Sequence, residues 1–134
     1  MMTDESEASR GREADLRNTP LAIAVEQRGP ATVVGLSGSC TMTESERLGR
    51  RLTELAVDAA GGPFIIDLSG LDFIDSIGIG GIVAAYLHCR RRQTELRLVR
   101  PQSEIARMFE LSKLTRIFQI FPSVEAALRS EAHF

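Results

Sequence analysis

Ser76 is the residue of this sequence that most readily suggests chemistry. It follows Asp75 and precedes a glycine-rich run, Ile77-Gly78-Ile79-Gly80-Gly81, within the stretch "DLSGLDFIDSIGIGGIVAAYLHCRRR". A serine in that setting can be a nucleophile, part of a phosphate cradle, a phosphate acceptor or only a helix cap.

The first two roles lack their supporting residues. A nucleophile elbow needs Gly-x-Ser-x-Gly for its sharp turn, and Ile74 stands where the first glycine should be. It also needs a base within hydrogen-bond reach. The histidines are His88, roughly 18 Å down the same expected helix, and His133 near the chain end. A dinucleotide fingerprint would continue Gly78-Ile79-Gly80 to a third glycine, but Val83 occupies that place. The strand "FIIDL" is expected to end about seven residues before the helix, too far for a fingerprint that follows its strand directly. No Gly-Lys-Ser/Thr follows. A metal site fails as well, because adjacent His88 and Cys89 point about 100° apart on a helix.

The remaining roles share one requirement, a helix start at Asp75-Ser76. Either side chain can cap the orphan backbone N–H groups there. A phosphoserine suits the same place, since those N–H groups and the positive dipole end favour added negative charge, while neighbouring Asp75 opposes it. A bare cap has no use for Gly78, Gly80 and Gly81, each costing about 1 kcal/mol against alanine in a helix. Two explanations stand side by side. Gly78, Gly81 and Ala85 can form a smooth docking face, or they can allow close packing inside the domain.

The elements that must position this motif are legible from periodicity. "LAIAVEQ" alternates through Leu21, Ile23 and Val25, "ATVVGLS" is β-branched, and "RGP" between them predicts a hairpin. Thr43 and Glu46 have capping-box spacing ahead of a helix through Leu48, Leu52, Leu55, Ala56 and Ala59, closed by Gly61-Gly62. "PFIIDL" reads as a strand buried on both faces. Ile79, Ile82, Val83, Tyr86 and Leu87 fall at helical spacing. "ELRLV" is a strand, Ser103 caps a helix through Ile105, Met108 and Phe109, "RIFQIF" is a last strand, and Pro122-Ser123 opens a closing helix. The order β-β-α-β-α-β-α-β-α predicts an α/β fold: one mixed, mostly parallel sheet of about five strands packed with about four helices.

Composition narrows the function classes. The 134 residues are 43% hydrophobic and 25% charged with a net charge of −2, so nothing favours direct nucleic-acid binding. Cys40 and Cys89 are too far apart in sequence to suggest a CxxC pair. No apolar run reaches membrane-spanning length and the start of the chain does not resemble a secretory signal, so a cytoplasmic location without membrane insertion is expected. Residues 1–18 carry Asp4, Glu5, Glu7, Glu13 and Asp15 against Arg10, Arg12 and Arg17, with few apolar side chains. They are expected to be a disordered polar tail ahead of one folded domain, 19–134.

The segments "FIIDLSGLDFIDSIGIGGIVAAY", "ELRLV" and "ARMFELSKLTRIFQIFPSVEAAL" together resemble the STAS domain family, specifically bacterial anti-sigma factor antagonists. The resemblance extends from Leu21 to Leu128. Family members carry Asp-Ser-(Ser or Thr)-Gly-Leu-Gly, matched here by Asp75-Ser76-Ile77-Gly78-Ile79-Gly80. It implies a STAS fold and a binding protein, not an enzyme, with no cofactor or metal of its own. Ser76 would be phosphorylated by the partner, an anti-sigma factor that is an ATP-dependent serine kinase. The unphosphorylated chain would bind that kinase and release its sigma factor, and a serine phosphatase would restore Ser76. The partner contact would comprise Asp75, Ser76, Ile77, Gly78, Ile79, Gly80 and Gly81, with Ser39 and Thr41 from the loop after the second strand. Two departures stand out: Ile77 replaces the second hydroxyl residue, and Gly38-Ser39-Cys40-Thr41 replaces a Gly-Glu-(apolar)-Asp element. Loss of those acids leaves a second reading open, a STAS interaction module in a transport or other signalling complex without a kinase cycle.

Overall fold

The computed structural model describes residues 19–59 and 61–131. The expected polar tail, residues 1–18, lies outside the described residues. The sheet opens with the predicted hairpin. Strand β1 (Ala22–Arg28) turns at Gly29, whose φ of +60° suits a residue without a β-carbon, and β2 (Ala31–Cys40) returns antiparallel to it. Helix α1 (Thr43–Asp58) then leads to β3 (Phe64–Ile74), parallel to β2. Helix α2 (Ser76–Arg91), strand β4 (Leu96–Val99), helix α3 (Ser103–Leu111), a 3₁₀ turn (Leu114–Arg116), strand β5 (Gln119–Phe121) and helix α4 (Val124–Arg129) complete the chain. Strands β3, β4 and β5 pair in parallel, and the spatial order is the sequence order, β1-β2-β3-β4-β5. The α/β alternation is as expected.

Two apolar layers flank the sheet. Leu48, Leu52 and Ala56 of α1, Ile82, Ala85 and Cys89 of α2, and Ile105 and Phe109 of α3 pack with Val34, Leu36, Phe64, Ile66 and Leu98 on one face. Each fully buried leucine there contributes about 1.5–3 kcal/mol by removing apolar surface from water. The second face carries a smaller cluster of Ala31, Val33, Ile65, Val99 and Ala127, which places α4 opposite the other helices. Beside it, Arg97 is buried with Glu95, whose Oε1 accepts from Arg97 Nε at 3.0 Å and Nη2 at 2.8 Å. Arg97 Nη1 also donates to the Ala127 carbonyl oxygen. The guanidinium lies 5.7 Å from the centre of the Phe121 ring. A buried charge needs these partners, and they tie α4 to β4.

Several local expectations need correction. Strand β3 does not stop after "FIIDL" but continues to Ile74, because the bulged ladder to β2 carries pairing through Ser39↔Phe73 and Cys40↔Ile74. Only Asp75 separates strand from helix, so the spacing argument against a dinucleotide site falls, while Val83 in place of the third glycine remains. Thr43 makes no capping box. Met42 caps α1 with φ 54° and no side-chain bond, and another element supplies the missing acceptor. Helix α1 ends at Asp58 with Ala59 as its cap, ahead of the two glycines expected to close it. Gln102 caps α3, leaving Ser103 as its first residue. Part of "RIFQIF" is a 3₁₀ turn, which shortens β5. Val25 and Leu87 project to solvent instead of joining the apolar stripes.

Candidate functional site

The parallel register of β2 and β3 brings Cys40 beside Ile74 at the ends of their strands. The ladder gains one more bond there, from the Asp75 N–H to the Cys40 carbonyl oxygen at 3.1 Å. This fixes where the chain turns into α2. Asp75 has extended backbone and caps the helix, its Oδ1 accepting from the Gly78 N–H at 2.8 Å. The same oxygen accepts from Ser45 Oγ at 2.6 Å, and Oδ2 accepts from the Met42 N–H at 3.2 Å. One carboxylate therefore satisfies the starts of both α1 and α2, which is why α1 needs no cap from its own side chains.

Burial of Asp75 works against its charged form, but the bonds from Ser45 and from the Gly78, Met42 and Ile77 amides outweigh it and hold the carboxyl below the usual aspartate range. Cys40 responds in the opposite direction. Burial above all pushes its thiol up to about 11, against a weak hydrogen bond to Ser45 Oγ, so it is not a reactive thiolate.

Ser76 is the first residue of α2 and exposed, and its hydroxyl makes no hydrogen bond among the described residues. Asp75 has taken the capping role, which leaves the Ser76 oxygen free for another partner. Ile77 and Met42, 58% and 80% exposed, place apolar side chains beside the two helix starts that Asp75 joins. Thr41 is half-buried at the turn into α1, its carbonyl accepting from the Glu44 N–H at 2.9 Å.

The glycines divide between the two explanations left open by the sequence. A β-carbon on Gly78 would lie 2.7 Å from Ile74 Cγ1 and 2.9 Å from Cys40 Sγ, and one on Gly81 would lie 2.8 Å from the Gly49 Cα. These two serve packing within the domain, Gly81 by letting α2 touch α1 backbone to backbone. Gly80 meets nothing within 4 Å and is exposed. Ile79 is half-buried against the core.

Ser39 is buried and so adds nothing to the exposed surface. Its hydroxyl donates to Asp72 Oδ1 at 2.7 Å, and its N–H donates to the Thr19 carbonyl oxygen at 3.0 Å. Asp72 of β3 thus supplies a carboxylate at the end of β2, where the sequence itself has hydroxyl residues. Sequence reasoning missed Asp72 and Ser45. Asp72 depends on a register that a bulge has shifted. Ser45 left a signal: with Leu48 and Leu52 it lies on the buried stripe of α1, a polar residue where an apolar one belongs.

Among the described residues, no three His, Cys, Asp or Glu side chains gather to hold a metal. No described helix is long and apolar enough to cross a membrane.

The STAS domain profile matches residues 22–127. A Mycobacterium tuberculosis protein provisionally named an anti-anti-sigma factor is 34% identical over 113 residues, covering 83% of this chain and 76% of that protein. Among solved structures, an anti-sigma factor antagonist from Mycobacterium paratuberculosis superposes with a TM-score of 0.71 at 23% identity, covering 82% of this chain and 95% of that one. The Bacillus cell fate determinant SpoIIAA in its phosphorylated form gives a TM-score of 0.63 at 20% identity, covering 79% and 96%. These two structural likenesses bear on the fold.

Proposed function

The chain belongs to the STAS domain family, and from that footing we propose that it is an anti-sigma factor antagonist switched by phosphorylation of Ser76. The observation that carries the proposal is the division of labour at the start of α2. Asp75 is tied down by Ser45 and by backbone amides of both helix starts, and the next residue offers an exposed hydroxyl unbonded among the described residues. The 34% identity to a protein provisionally named an anti-anti-sigma factor supports the class of partner. The phosphorylated form of the similarly folded Bacillus protein supports the modification.

In this reading the unphosphorylated chain binds an anti-sigma factor serine kinase in the cytoplasm and frees its sigma factor. The exposed surface offered to the kinase consists of Ser76, Ile77, Gly80 and Met42. Asp75, Gly78 and Gly81 hold it in shape from below. The kinase then transfers the γ-phosphoryl group of ATP to Ser76 Oγ: the O–P bond forms, the bond to ADP breaks, and a base on the kinase receives the hydroxyl proton. The chain is substrate and ligand in that step. The phosphate adds about −1.5 to −2 charge at pH 7 next to exposed, apolar Ile77, where docking would have to strip its water. The helix N-terminus tolerates that charge in the free protein, so release of the partner follows. A serine phosphatase resets the switch.

Incubation with the cognate kinase and ATP should add one phosphate, located at Ser76 by mass spectrometry. An active kinase that leaves Ser76 unmodified would refute the switch.

One observation favours a second reading. Gly38-Ser39-Cys40-Thr41 carries no acid where the family loop has two, and Ser39 is buried with its hydroxyl on Asp72. A STAS interaction module without a kinase cycle would keep the same surface and use Ser76 only as a contact. Capture of partners on the immobilised protein separates the two, since recovery of transport proteins with no kinase would select the second.

A further inference from the structure

The arginines at the far end of α2 have no part in the Ser76 surface. Arg90, Arg91 and Arg92 close the helix, whose C-terminus carries only about half a unit of negative charge. Arg92 Nη1 donates to the Val57 carbonyl oxygen at 2.8 Å, whereas Arg90 Nη1 donates to the Tyr86 hydroxyl at 3.3 Å, its one hydrogen bond among the described residues. Arg90 and Arg116 both line a cavity of about 290 Å³ between α2, the start of β4 and the segment entering β5. Tyr86, Thr94, Glu95 and Gln119 line it as well.

The charges around this cavity do not cancel. Among the described residues that line it Glu95 is the only carboxylate, and Arg97 from the protein interior grips that group with two nitrogens. Neither Arg90 nor Arg116 forms an ion pair among the described residues. Two exposed guanidinium groups are left facing a hollow that also offers the Tyr86 hydroxyl and the Gln119 amide. Guanidinium forks match phosphate oxygens geometrically and give charge-assisted hydrogen bonds, stronger than neutral ones. The volume sits near the lower end of small-molecule sites.

We propose that this cavity binds a small phosphate monoester, with Arg90 and Arg116 clamping the phosphate and the Tyr86–Gln119 wall meeting the esterified group. The site is separate from Ser76, about 21 Å away along α2 at 1.5 Å per residue.

Calorimetry at low ionic strength with AMP and with glucose 6-phosphate tests the assignment. At least one should bind with millimolar affinity or better, and the double variant Arg90→Gln/Arg116→Gln should weaken that binding about tenfold or more. Both side chains are exposed, so an unchanged amide NMR spectrum away from the cavity would show that the variant is folded. A control, Arg50→Gln/Arg129→Gln, removes the same charge elsewhere and should leave binding intact. Failure of both probes to bind, unchanged binding in the cavity variant, or an equal loss in the control would overturn the proposal.

Discussion

Ser45 Oγ and Asp75 Oδ1 are 2.6 Å apart, thirty residues distant in sequence, and this bond holds the start of α1 against the start of α2. Replacing Ser45 by Ala leaves the half-buried Asp75 carboxylate with one donor fewer. Stability should fall by about 1–3 kcal/mol, read from the urea midpoint. If Asp75 positions Ser76, the same change should slow phosphoryl transfer to Ser76 while leaving partner affinity nearly intact.

The glycines of α2 should respond in opposite directions. Gly80→Ala places a methyl group in open space on a helix and should stabilise the protein by about 0.5–1 kcal/mol. Gly81→Ala drives a methyl group into the Gly49 backbone and should destabilise it by about 1–3 kcal/mol. Thermal unfolding of the two variants checks both signs. A partner surface that approaches Gly80 closely would show as weaker binding by the more stable variant.

Acid should loosen the site through two carboxylates whose pKa values are lowered on folding. For Asp75, burial is outweighed by hydrogen bonds from Ser45 and backbone amides. For Glu44, the hydrogen bond from Arg47 comes first, then the Leu21 N–H. A depressed folded-state pKa adds stability above the unfolded value, about 3.9 for Asp and 4.3 for Glu, and that contribution is lost as pH falls through the lower folded-state value. Unfolding curves between pH 7 and pH 2 should show this loss, and Asp75→Asn should flatten part of it by removing one titrating group.

At Ser76 itself, substitution should separate binding from folding. Ser76→Ala and Ser76→Asp alter an exposed side chain with no internal bond, so both should stay within about 0.5 kcal/mol of the parent in stability. Titration against the anti-sigma factor should find the Ala form bound as tightly as the parent and the Asp form weakened. Equal affinity of the two would show that negative charge at Ser76 is not what releases the partner.

The sequence was most informative where the pattern was local. The helical stripe through Ile79, Ile82 and Val83 and the hairpin around Gly29 each depend on neighbours a few residues away, and both formed as read. Ser76 at a helix start was legible for the same reason. What escaped was set by distant partners. Met42 adopts a positive φ that nothing in "CTMTES" announces, because Asp75 of a later element accepts its N–H. The end of β3 was misplaced because "SGLDF" has weak strand patterning and is held extended by its ladder to β2. The glycines were ambiguous until Gly49, thirty-two residues upstream, was seen against Gly81.

The sheet's order also bears on when the docking surface can exist. Each strand pairs with the one before it in the chain, so none has to be inserted between two already joined. Such an arrangement can assemble progressively as the chain emerges from a ribosome, amino end first. Asp75 finds Ser45 only after β3 has zipped along β2, and the Gly49–Gly81 contact closes shortly afterwards. A nascent chain cut short before α2 would carry the whole hairpin and α1 yet, of the partner surface, only Met42. Competence to bind would then appear late in synthesis and all at once.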